Sequence, residues 1–382
     1  VLVYTDLDIR FQTAVASKLP GFLTQPAQDL QESSAIAGGL SDLSGGVIAH
    51  PAGLDEAERG KPLPGLGPAP ELVDTQQWFN TPGGQPLSIR ELTQEQGGVV
   101  LIDFWTYTSI NCIRTFPHLR ALDEEYRDRG LTIIGVHSPE FPFEKEADNV
   151  AAAIDQNQLA YPVVQDNNLS TWDAFHNAYW PADYLIDSRG HIRYIHFGEG
   201  DYEASEQAVR SLLAEAGRER LGSMTDVRVE RAARGVRTPE SYLGAARAQG
   251  FVNGFRDDPV TPGTQVFRPP GFRLPLNRLA YRGKWTISDE AATAGPDARL
   301  DLRFQARRVF LVMGSPGQPA PVRVLLDGEP IRDRVAGSDV QTGSAEVSQQ
   351  RLYRLVELPR VGRHLLSLRF APGVSGYAFT FG

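Results

Sequence analysis

The chain has 382 residues, more than one compact core of ordinary size holds, so two or more domains are expected. It is 41% hydrophobic and 22% charged, the balance of a globular protein, and its formal charge of −9 argues against general affinity for phosphate backbones. The single cysteine, Cys112, excludes an intrachain disulfide, and no run of about 18 apolar residues marks a membrane span.

Residues 1–20 place Leu7, Phe11, Val15 and Leu19 at helical spacing behind a capping Asp6, and residues 21–68 are rich in Gly, Pro, Ala and Ser. Residues 1–68 are therefore expected to be an N-terminal helix and linker. The chain begins at Val1 with no signal-peptide pattern, which fits a fragment or a mature form as well as a complete cytosolic protein.

Residues 69–217 alternate strand and helix signals. Strands are predicted at 99–104, 131–137, 161–166, 182–187 and 191–197. Helices are predicted at 112–129, 143–158, 169–177 and 203–217. In the first helix Phe116, Leu119, Leu122 and Tyr126 share one side. Ser188, Arg189 and Gly190 read as a hairpin turn. The order combines parallel crossovers with a terminal antiparallel hairpin, which is an α/β domain.

Residues 218–264 are expected to be a linker with helical segments, and the arginines from Arg218 to Arg237 read as a solvated face. Over 265–382 the pattern changes to short alternating runs: LAYRGKW, RLDLRFQ, RVFLVMG, PVRVLLD, RLYRLVE, HLLSLRF and YAFTF. Turn residues such as Asp327 and Gly328 separate them. An all-β antiparallel sandwich of about seven or eight strands is predicted.

The chemistry concentrates at VLIDFWTYTSINCIRTFP (100–117). A buried strand runs into a loop, and S-x-x-C then opens a helix. A thiolate is the nucleophile of disulfide exchange, and a helix N-terminus stabilises its charge. Ser109 stands three residues before Cys112, and a hydroxyl ionises far too weakly to act as a thiolate. Asp103 lies on the strand six residues earlier, and a buried carboxyl with a raised pKa suits a proton acceptor.

This stretch resembles the thioredoxin active-site region. Together with IGVHSPEFPFEK, YWPADYLID and HFGEGDY it resembles more closely the DipZ family of bacterial redoxins, strongly over 69–217 and more loosely through RGKW and YAFTFG near the end. The resemblance implies a thioredoxin-like redox domain of the TlpA/ResA kind followed by a jelly-roll, carbohydrate-binding-like β-sandwich.

It also implies roles. Ser109 occupies the position of the attacking cysteine, as an engineered replacement or a natural variant. Cys112 is the resolving thiol, Asp103 moves protons, and Pro181 after Trp180 is the cis-proline that shapes the substrate groove. Trp105, Tyr107, Glu140, Glu144 and Lys145 are candidate tuning residues. No cofactor beyond the cysteine pair of the parent form is implied.

The implied partners are disulfide-bearing proteins, a CcdA/DsbD-like membrane segment as electron donor, and a cell-wall glycan. The implied location is extracytoplasmic, attached to the membrane, with cytochrome c biogenesis as the pathway. Trp285, Tyr281, Tyr353 and Tyr377 are candidates for sugar stacking, against ordinary core packing.

Two rivals stand beside this reading. A one-cysteine peroxiredoxin also uses S-x-x-C, but it carries an earlier proline where this chain has Phe104 and Trp105. A non-catalytic glycan-binding or scaffold module is the other. The seven histidines show no metal-ligand spacing.

Overall fold

The computed structural model describes residues 62–227, 229–230, 233–253 and 260–382; the helix predicted within 1–20 lies outside them. The chain divides into two units between Arg231 and Ala232.

The N-terminal unit is built on a six-stranded sheet. Its strands are β1 (Trp78–Phe79), β2 (Val99–Trp105), β3 (Leu131–His137), β4 (Val163–Gln165), β5 (Ala182–Ile186) and β6 (Ile192–Phe197), in the order β1-β4-β3-β2-β5-β6. β2, β3 and β4 are parallel, while β1, β5 and β6 run antiparallel to their neighbours. The helices are α1 (Ile110–Tyr126), α2 (Ala147–Asn157), α3 (Ser170–Ala174) and α4 (Tyr202–Glu215). This is the α/β order the sequence predicts.

β2 is an interior strand, buried along its whole length, which explains the apolar run that only Asp103 interrupts. Its Val100, Ile102 and Phe104 pack into one apolar cluster with Ile134, Val136, Tyr184 and Ile186. Asp103 and Trp105 therefore take the opposite face, because strand side chains alternate. Trp105 meets Phe116 of α1 there, with ring centroids 5.3 Å apart. Phe116, Leu119, Leu122 and Tyr126 of α1 are all buried, as their spacing predicts. The β5–β6 turn closes on Asp187, whose Oδ1 accepts from the backbone N–H of Arg189 and His191.

One boundary differs. The helix predicted over 143–158 is a 3-10 turn at Pro142–Lys145 followed by α2, with Glu146 extended between them.

The C-terminal unit is antiparallel throughout its named strands. They are β7 (Ser241–Tyr242), β8 (Gly263–Phe267), β9 (Arg278–Ile287), β10 (Ala292–Ala294), β11 (Arg299–Gly314), β12 (Ala320–Leu326), β13 (Glu329–Pro330), β14 (Val340–Gln341), β15 (Ser344–Val347), β16 (Arg351–Phe370) and β17 (Ser375–Phe381). Two long strands account for four of the runs seen in the sequence. RLDLRFQ and RVFLVMG are halves of β11, and RLYRLVE and HLLSLRF are halves of β16. A bulge between Ala306 and Arg308 lets β11 change neighbours: its first half pairs with β9 and its second with β17, while β16 follows it throughout. The expected two layers are thus joined into one hydrogen-bonded sheet around an apolar core. At the β12–β13 turn Asp327 and Gly328 both have positive φ, as a tight hairpin requires.

The linker expected over 218–264 needs correction. No helix forms there among the described residues, and 241–253 belong to the C-terminal unit. Leu243 and Phe251 are buried in its core; Phe251 stacks on Tyr281 with centroids 4.6 Å apart, and Tyr281 Oη donates to the Leu243 carbonyl at 2.8 Å. Apolar side chains spaced without a period anchor this segment through single contacts, which no helical pattern reveals. Tyr281, Trp285 and Tyr353 are fully buried core residues, so none presents a face to a sugar.

Candidate functional site

The site forms where β2 ends and α1 begins. Ser109 is the N-cap of α1: its backbone is extended, and its Oγ accepts the Cys112 N–H at 3.3 Å. One serine therefore satisfies one of the helix's free donors and stands beside the only cysteine. Cys112 itself is 0% exposed. Burial pushes its thiol far above the ordinary range. Hydrogen bonds from Ser109 and the Thr106 backbone act the other way, and the carboxyls of Asp103 and Glu144 push it up further. The net direction favours the neutral thiol of Cys112 over its thiolate.

Asp103 is also 0% exposed, and neither carboxyl oxygen has a hydrogen-bond partner among the described residues. Strand register sets Asp103 directly opposite Asp183 of β5, and Asp183 opposite His196 of β6. Directly opposite residues share a face. Burial, and then the facing carboxyl of Asp183, raise the Asp103 pKa well above the carboxylate range; burial raises Asp183 as well. Burial lowers His196. On the other side Asp103 is paired with Gly135, and a Cβ there would lie 2.9 Å from Trp105 Nε1. The glycine thus makes room for the indole.

The three tuning candidates after β3 separate clearly. Glu144 is fully buried. Its Oε1 accepts the Thr108 hydroxyl at 2.6 Å, and its Oε2 accepts the backbone N–H groups of Glu140 at 2.6 Å and Phe141 at 2.9 Å. Burial, then the Glu140 charge, raise its pKa to about 7. It ties the loop before Ser109 to the loop after β3. The Glu140 side chain is half-buried, and Lys145 is exposed, with its carbonyl accepting from Gln165 Nε2 at 2.9 Å and Asn167 Nδ2 at 3.1 Å.

Trp105 and Tyr107 are buried around His137: Trp105 edge-on at 4.8 Å and Tyr107 stacked at 5.6 Å. The Trp180–Pro181 peptide is cis. Ala182 is paired with Phe104, so Pro181 comes to the sheet end where the Ser109 loop departs. Trp180 Nε1 donates to the Ser138 carbonyl at 3.0 Å, fixing that segment to the end of β3.

Sequence reasoning missed Asp183, His196, His137 and the pair of buried Arg114 with half-buried Glu199, whose charges lie 3.1 Å apart. Asp183 and Glu199 lie within ADYLID and HFGEGDY, but only strand register and chain return bring them to the site.

With this geometry in hand, comparison with known proteins gives a consistent picture. Residues 69–195 match the AhpC/TSA family and residues 238–382 match the thioredoxin like C-terminal domain. Protein DipZ of Mycobacterium bovis is 34% identical over 387 aligned positions, covering 100% of this chain and 52% of that protein. The chain thus spans about half the length of this relative. Thiol-disulfide oxidoreductase YkuV of Bacillus subtilis is 27% identical over 151 positions, 39% of this chain and 95% of YkuV. The solution structure of a thioredoxin-like protein in its oxidized form is 26% identical, with a TM-score of 0.35, and covers 39% of this chain and 96% of its own.

Proposed function

Since this chain is related to Protein DipZ along its full length and carries a thiol–disulfide oxidoreductase-like thioredoxin-fold domain, we propose that it is the disulfide-exchange part of a DipZ-like membrane electron-transfer protein, disarmed at position 109. The observation that carries this reading is the Ser109 hydroxyl at the helix N-cap, against the Cys112 N–H at 3.3 Å.

With a cysteine at 109, that thiolate attacks a substrate disulfide. One substrate sulfur leaves as a thiolate that takes a proton from solvent, and a mixed disulfide forms. The Asp103–Asp183 pair, which holds one proton, takes the Cys112 proton on its ionised carboxylate, and the Cys112 sulfur attacks the sulfur at 109. The second substrate sulfur leaves as a thiolate and takes up the proton that Cys112 released, and a 109–112 disulfide remains. The substrate gains two electrons and the domain loses them. Ser109 cannot take the first step. The finer parts of the proposal are electron supply by a CcdA/DsbD-like membrane segment, an extracytoplasmic position, a part in cytochrome c biogenesis, and a glycan-binding role for the C-terminal unit. No helix among the described residues is long and apolar enough to cross a membrane.

The peroxidase reading requires a thiolate at Cys112, which burial opposes. The test compares the chain with its Ser109→Cys variant in reduction of a protein disulfide. Turnover by the variant alone supports the proposal. Turnover by neither favours the scaffold reading. Peroxide-driven sulfenic acid at Cys112 in the unaltered chain favours the peroxidase.

A further inference from the structure

The C-terminal unit carries a strongly charged face. Register places Arg323 of β12 opposite Arg369 of β16, Arg369 opposite Arg299 of β11, and Arg299 opposite Arg282 of β9. Four guanidiniums thus stand in one row across four strands, about 14 Å from end to end at ~4.8 Å per strand. Like charges directly opposite each other weaken a sheet, so such a row calls for anions.

The protein supplies one of them. Asp301, 2% exposed, lies in the next row on the same face. Arg282 Nε is 2.6 Å from its Oδ2 and Arg299 Nε is 2.8 Å from its Oδ1, and Ser367 Oγ donates to Oδ1 at 2.5 Å. Arg323 and Arg369 are exposed and make no ion pair among the described residues.

Beside the row opens a recess of about 350 Å³, lined among others by Phe272, Arg273, Arg282, Arg303 and Asp327. Phe272 is 38% exposed, an aromatic ring left uncovered at a recess whose lining joins apolar Pro270, Leu274, Ala280 and Leu365 to the charged side chains. The cations require acidic groups on the ligand. The Asp327 carboxylate in the recess already accepts the Leu365 N–H on Oδ1 at 2.9 Å and has His364 Nδ1 2.7 Å from Oδ2; each oxygen keeps a lone pair for a ligand hydroxyl, while the charge repels a chain of closely spaced anions such as polyphosphate. The Phe272 face suits the C–H face of a sugar ring. These demands converge on a chain that carries hydroxyls, apolar ring faces and a spaced acidic group.

We propose that this face binds an acidic oligosaccharide, its carboxylates along the row Arg323, Arg369, Arg299 and Arg282 and one sugar ring in the recess against Phe272. The proposal rests on the reading of the C-terminal unit as a glycan-binding module and gives that module a site and a ligand class. It is independent of the chemistry at position 109.

The test is calorimetric titration of the full chain, at physiological ionic strength, with an oligouronate, a neutral oligosaccharide of the same length and a polyglutamate peptide of the same charge. The oligouronate is expected to bind best. The double variant R323A/R369A, at two exposed positions, should bind it roughly three- to thirtyfold more weakly. Phe272→Ala should also weaken it, and Arg360→Ala, a removal of positive charge elsewhere on the unit, should not. Unchanged binding by R323A/R369A, or equal binding of polyglutamate, overturns the proposal. Equal binding of the neutral sugar, indifferent to the arginines, overturns it while leaving the module reading intact. Binding of no sugar overturns both.

Discussion

Asp103 and Asp183 stand directly opposite each other on β2 and β5, two carboxyls facing across the sheet beneath α1. Two adjacent buried carboxylates repel each other and lose hydration, so the pair holds a proton that an isolated aspartate would release at the same pH. That is the property a proton store beside a resolving thiol needs. It also makes the pair a source of instability that grows with pH.

The sign follows from linkage. Asp103 has a folded pKa raised above its unfolded value, so the folded state binds more protons, and stability falls as pH rises from the unfolded pKa toward the folded one. Asp103→Asn removes that proton uptake. Its stability relative to the parent should rise with pH above ~4, by up to about 1.4 kcal/mol per pH unit. Urea unfolding between pH 4 and 8 measures this. A difference that does not vary with pH would mean that Asp103 is ionised in the fold.

Glu144 is a structural clasp. Glu144→Ala leaves the Thr108 hydroxyl and the N–H groups of Glu140 and Phe141 without their acceptor. A loss of about 1–3 kcal/mol is expected. Faster hydrogen exchange at Glu140 and Phe141 should accompany it. Unchanged stability and exchange would show that the loop does not depend on this carboxyl.

Gly135 is required by contact rather than by turn geometry. A methyl group there meets Trp105 Nε1 at 2.9 Å and the Tyr161 ring at 3.2 Å. Gly135→Ala should cost about 1–3 kcal/mol by overpacking and perturb tryptophan fluorescence. A variant with parental stability and spectrum would contradict the packing described for this face.

Much of this was legible in the sequence, for local reasons. S-x-x-C at a strand-to-helix junction is a capping pattern as well as a redox one, so Ser109, Cys112 and the start of α1 came together. Glu140, Glu144 and Lys145 could not be separated, because burial alone distinguishes them and all three lie in one short turn. The row Asp103, Asp183 and His196 depends on how β5 and β6 register against β2, which no local pattern encodes. β11 and β16 read as four strands because the polar bulge at Arg307 and the Pro359–Gly362 stretch interrupt the alternation while the backbone continues. Short strands such as β7 and β13, two residues each, are set by their partners and leave no period.

The most direct test of the account is the redox state of Ser109→Cys beside the parent chain. Free thiols are counted before and after oxidation, with reduction of a protein disulfide followed in parallel. The account predicts that the parent shows no reactive thiol when native and one when unfolded, and reduces nothing. The variant should show two thiols that disappear together on oxidation and return on reduction, with turnover of the disulfide. A variant whose two thiols never pair would contradict the assignment of position 109 as the attacking site.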